Sequence, residues 1–109
     1  MAQEVPRPPK DQLFGFYYLG FDPSGQYRFP NVRHVAQFYG VGHERIQTWL
    51  QEYGMTPHDV LFSNFDVTAA AVDLYLERPG LTDEGLNARI AEIMREVEST
   101  GAGRKPWED

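Results

Sequence analysis

Apolar and polar positions alternate along this chain mostly with the period of an α-helix. From Val32 to Tyr53 (VRHVAQFYGVGHERIQTWLQEY), Val32, Val35, Ala36 and Tyr39 fall on one helical face, Gly40 breaks the run, and Ile46, Trp49, Leu50 and Tyr53 resume the same period. The pattern predicts two short helices joined at a glycine corner. Ala36 is small where the two helices must touch, and Gly40 stands where a steep reversal needs a positive φ. Asn31 is a good N-cap for the first of them.

The flanking stretches read in the same way. In DQLFGFYYLGF, Leu13, Phe16 and Tyr17 share a helical face, with Gly20 placed to stop a helix. Gly15 and the density of aromatics suit a strand as well, so a hairpin pairing Tyr27 and Phe29 with Tyr18 and Phe16 stays open as the alternative. Asp22-Pro23-Ser24-Gly25 has the residue order of a turn. Thr56 and Pro57 open a brief helix ending near Ser63, and Asp66 caps a longer one with an alanine-rich stripe of Val67, Ala70, Ala71, Leu74 and Tyr75, closed by Pro79 and Gly80. Thr82 caps the last helix, where Asp83 and Glu84 sit at the positive end of the dipole and Gly101 marks the stop. Its Leu86, Ile90, Ile93 and Val97, with Met94 beside them, suit docking on the core, the role that a helix of about five turns favours, with the seam of a homodimer or the surface for a protein partner as the alternative.

Val35, Ala36, Gly40, Val41, Ile46 and Trp49 together match the apolar, small, glycine and apolar positions of the helix-turn-helix superfamily, which this stretch resembles. The resemblance lies within residues 32–53 and no further, and the helix-turn-helix is expected at 31–54. With it, the expected fold is mainly α, a small helix-turn-helix-containing bundle of about five helices. Residues 1–10 (MAQEVPRPPK) are expected as a flexible arm, 11–100 as one helical domain, and 101–109 as a disordered tail. The resemblance implies that the second motif helix enters a DNA major groove, presenting His43, Glu44, Arg45, Gln47, Thr48 and Gln51. Gln47 and Gln51 would then read adenine edges, Arg45 a guanine or a phosphate and Thr48 a thymine methyl, while Arg33, Arg28, Arg7 and Lys10 hold phosphates.

Charge alters that picture. The 109 residues carry a formal net charge of −6. Residues 1–55 hold five basic and five acidic side chains, and residues 56–109 hold five and eleven. DNA grips usually rest on a basic patch, because neutralising phosphates supplies most of the non-specific affinity. None stands out in this sequence. Two functions follow as expectations. One is a DNA-binding transcriptional regulator acting as a dimer or with a partner. The other is an acidic protein-interaction or adaptor module on the same fold, with the proline-rich arm and Trp107 as peptide-like anchors.

Catalysis is the least supported class. His34, His43 and His58 lack the spacing that puts two imidazoles on one helix face, and Gly40-Val41-Gly42 lacks the lysine and hydroxyl of a phosphate loop. Asp66 and Asp73 have no base beside them in the pattern. There is no cysteine, which removes disulfides, thiol nucleophiles and thiolate metal sites. No metal or cofactor is expected. The absence of a long apolar run or an apolar N-terminal segment leads to the expectation of a cytoplasmic protein with no membrane contact.

Overall fold

The first helix, α1 (Lys10–Tyr17), is apolar on two sides, and that decides the architecture. Leu13 and Phe16 face one way, into a cluster with Val35, Ala36, Ile46, Trp49 and Leu50. Phe14 faces the other, into a second cluster with Leu19, Phe21, Met55, Val60, Leu74, Leu86, Ile90, Ile93 and Val97. The helix is thus a shared wall between two half-cores. The computed structural model describes residues 5–63 and 65–100, and the predicted tail with Trp107 and Gly101 lies outside them. Among the described residues the chain is mainly helical, with six α-helices and one 3₁₀ turn.

On the first side, α2 (Val32–Tyr39) and α3 (His43–Tyr53) form the expected pair. Asn31 accepts the backbone N–H of Arg33 and so caps α2. Gly40 ends it at φ 68°, ψ 36°, with its N–H donating back to the last turn. This left-handed corner costs a glycine little and would strain any side chain. Ala36 and Trp49 are both buried at the junction.

Phe16 lies inside α1, and a single antiparallel bridge joins Phe21 to Tyr27 across the turn that follows. Beyond α3 come α4 (Pro57–Phe62), α5 (Val67–Glu77) and α6 (Asp83–Ser99). Thr56 and Asp59 form a reciprocal capping box, Asp66 accepts from Ala69 N–H, and Thr82 accepts from Gly85 N–H. A 3₁₀ turn, Arg78–Gly80, closes α5.

The structure corrects three sequence expectations. Leu86, Ile90, Ile93 and Val97 do not form a free seam: all four are buried, packed through α6 against α1 and α5. These four side chains are therefore spent on the chain's own core, the docking role that their spacing suits. The close approach has a local cause at Gly15, where an added Cβ would sit 2.8 Å from Ile90 Cγ2. Second, the end of the predicted arm is docked. Pro8 is buried, Val5 packs on the α2–α3 cluster, the Tyr53 hydroxyl donates to Pro8 O, and Lys10 already belongs to α1. Third, the α5 stripe is only partly internal. Leu74 is fully buried, Val67, Ala70 and Ala71 are half-buried, and Tyr75 points outward.

Candidate functional site

Two surfaces compete for the role of functional site. The first is the outer face of α3. His43, Glu44, Arg45, Gln47, Thr48 and Gln51 are all exposed there, as the buried row of Ile46, Trp49 and Leu50 on the opposite face requires. Val35, Ala36, Ile46 and Trp49 are buried beneath, with Val41 half-buried against them.

The cations meant to flank this face are largely committed within the fold. Arg7 pairs with Glu52 at 3.0 Å, and its guanidinium lies 4.4 Å over the Tyr53 ring. Lys10 pairs with Glu98. Arg28 donates from Nε to Asp22 Oδ2 at 2.7 Å. Arg33 is exposed on α2. Thr48 spends its hydroxyl on the Glu44 carbonyl, one turn back in its own helix. Glu44 and Glu52 share the surface with Arg45, so the face is polar without being basic.

The second surface was not anticipated. Helix α5 packs its Leu74 side inward and leaves Val72 54%, Tyr75 52% and Leu76 69% exposed. Opposite them stands the segment after the Phe21–Tyr27 bridge, where Phe29 is 61% exposed. Tyr27, Phe29, Pro30, Thr68, Ala71, Val72 and Tyr75 line an open apolar groove of about 420 Å³. The Tyr27 and Tyr75 rings meet edge-on, with centroids 4.6 Å apart, and Tyr27 also touches Phe21 at 5.4 Å. The groove continues along Leu76 and Pro79.

The turn that presents this aromatic wall is built on one carboxylate. Asp22 is buried, and its Oδ1 accepts from Ser24 N–H, Ser24 Oγ and Gln26 N–H, while its Oδ2 takes Arg28. Burial acts to raise its pKa, but these donors outweigh it and hold the carboxyl below its ordinary value. Past this knot Phe29 takes φ 67°. That conformation costs a bulky L-residue on the order of 1–3 kcal/mol, and it tends to persist where surroundings enforce it at a working site. Here the enforcing contacts include Arg28 N–H to Gly20 O and the His34 ring bonded to Phe29 O.

The helical stripe of α5 places Tyr75 with the core positions and leaves Val72 and Leu76 outside it. One signal was present: in VTAAAVDLYLE the apolar residues run almost all the way round the helix, which a helix with one internal face does not need.

Among the described residues no group of three or more histidines and carboxylates is placed to hold a metal. The Tyr39 phenol is pushed up to about 12, first by burial, and donates to Gln12 Oε1. Burial likewise raises the Tyr18 phenol, which donates to the Met55 carbonyl at 2.7 Å. Both are neutral structural donors at physiological pH. No described helix is long and apolar enough to cross a membrane. No protein-family model matches the chain, and neither a curated protein nor a solved structure matches it.

Proposed function

We propose that this chain is a non-enzymatic protein-interaction module, built on a helix-turn-helix-containing helical fold, that docks a protein partner through the groove between α5 and the Tyr27–Pro30 segment. The observation that carries this reading is the outward row Val72, Tyr75 and Leu76 facing Tyr27 and Phe29. Burying such a side chain is worth about 1.5–3 kcal/mol, so leaving several together in water forgoes stability that a partner would recover. The strained Phe29 supports the same reading, since its left-handed backbone turns the ring toward the groove at a cost to the free protein.

DNA-binding transcriptional regulation is the second reading, favoured by the exposed amides of Gln47 and Gln51 on α3. The charge opposes it, because Arg7, Lys10 and Arg28 are matched to acids and Glu44 and Glu52 stand on the reading face. A low-salt titration with mixed-sequence duplex DNA separates the two, because electrostatic binding is least screened there. The interaction module gives no shift at tens of micromolar protein, a range that spans typical non-specific affinities of about 10⁻⁴–10⁻⁶ M. Micromolar binding that falls steeply with salt and weakens for one preferred sequence in Gln47→Ala and Gln51→Ala would install the DNA reading instead.

A further inference from the structure

We infer that the partner taken by the groove is a second copy of this chain, seated with α5 antiparallel to α5 about Val72, an inference that rests on the docking reading above and names its occupant. The first support is shape. Val72 is the central residue of α5 (Val67–Glu77), and the outward face changes size along the helix. Thr68 and Ala69, exposed and small, stand one turn before Val72, and Tyr75 and Leu76, exposed and bulky, stand one turn after it. A twofold contact uses the same patch on both copies, so that residue i meets j and j meets i. In an antiparallel pair centred on Val72, Leu76 falls on Thr68 of the other copy and Tyr75 on Ala69, and the reverse holds at the other end. Large side chains then meet small ones in both halves, as interdigitating helix faces require.

The second support is that one patch carries both a projection and a recess. Phe29, 61% exposed on its strained backbone, stands beside a groove whose α5 wall includes the small Thr68 and Ala71. The groove is open to the bulky end of a facing α5. A single chain therefore supplies both halves of the joint, which is the condition for a self-complementary contact.

The third support is charge and area. Among the described residues no charged side chain lines the groove. Asp66, Asp73 and Glu77 lie on the opposite side of α5 from Thr68, Ala71, Val72 and Tyr75, where they stay in water, and Glu77 is matched to Arg89. A neutral surface can meet its own likeness, whereas a charged one would repel it. The exposed parts of Tyr27, Phe29, Val72, Tyr75 and Leu76 present on the order of 500 Å² per copy, against about 800 Å² per partner in a stable interface. That area gives a weak, reversible dimer.

Sedimentation of the full chain, with ¹⁵N amide shifts read in parallel, tests the dimer. It should form reversibly between about 10 μM and 1 mM, with concentration-dependent shifts at Tyr27, Thr68, Val72, Tyr75 and Leu76. Each copy carries a net charge of −6 and the contact holds no ion pair, so association should hold or rise with added salt as repulsion is screened. Val72→Glu, at an exposed position, should weaken it about tenfold or more while melting like the parent. The chain has no cysteine, so single-cysteine variants read the register. Helices packed about 8–10 Å apart bring facing Cα atoms within reach of a disulfide, so Val72→Cys should cross-link to itself about tenfold faster than Asp73→Cys or Gln51→Cys. Equal rates for the three would overturn the twofold pairing. Association that weakens with salt, or shifts confined to α3 or α6, would overturn it as well, as would a monomer at 1 mM with unmoved groove amides. Benzoylphenylalanine at Leu76 in cells then separates that failure from failure of the docking reading: an adduct with a different protein keeps the groove as a docking site, and no protein adduct removes both.

Discussion

Trp49→Ala should lower the free energy of unfolding by about 3–5 kcal/mol, the range for truncating a buried large aromatic. Trp49 is 3% exposed and packs among Leu13, Phe16, Val35, Ala36, Ile46 and Leu50. The Tyr39 ring meets it edge-on at 5.7 Å and 90°. The indole therefore ties α3 to α2 and α1 at once. Its removal leaves a cavity that Ala36, already at the crossing, is too small to fill. Domains of this size hold only about 5–15 kcal/mol in total, so the variant should lose a large share of its stability. Chemical denaturation followed by circular dichroism reads the change, and an unaltered midpoint would mean that α3 is not seated as described.

Gly15→Val is the second large effect, with an expected loss of about 1–3 kcal/mol from overpacking the α1–α6 contact. The Cβ position at Gly15 lies 2.8 Å from Ile90 Cγ2 and 2.9 Å from its Cδ1, closer than any relaxed contact. Placing a glycine inside a helix itself costs about 0.5–1 kcal/mol relative to alanine, so its presence in α1 is explained by the approach it permits. A double-mutant cycle with Ile90→Ala separates the causes: if the clash is the reason, the loss caused by Gly15→Val shrinks when Ile90 is truncated. Strict additivity of the two changes would put the fault in the helix alone and contradict the close packing of α6.

What could be read in the sequence follows the range of each interaction. Asn31, Thr56, Asp66 and Thr82 cap their helices within one turn, so the starts of four helices were legible from neighbouring residues. Gly40 marked the α2–α3 corner for the same local reason. Longer-range facts were hidden. The period of α6 showed an apolar face without saying what covers it, and the answer depends on α1 lacking a side chain at Gly15. Arg28 was free in the sequence to reach a phosphate, but a carboxylate folded into a turn six positions earlier claims it. Arg7 finds Glu52 and Tyr53 only once the chain has returned past it. The groove was the least legible feature, since its two walls are some 45 residues apart and Tyr75 fits a core stripe as well as an exposed row.

The account stands on the claim that the α5 groove, and not the outer face of α3, is the contact surface. Site-specific photo-crosslinking in living cells of the source organism tests it most directly, with benzoylphenylalanine placed in turn at Leu76 and at Gln51, both exposed and outside the core. The account predicts one recurrent protein adduct at Leu76, mapping by mass spectrometry to an apolar segment of the partner, and lost when Val72→Ser is added. It predicts no adduct at Gln51. DNA adducts at Gln51 with none of protein at Leu76 would contradict it.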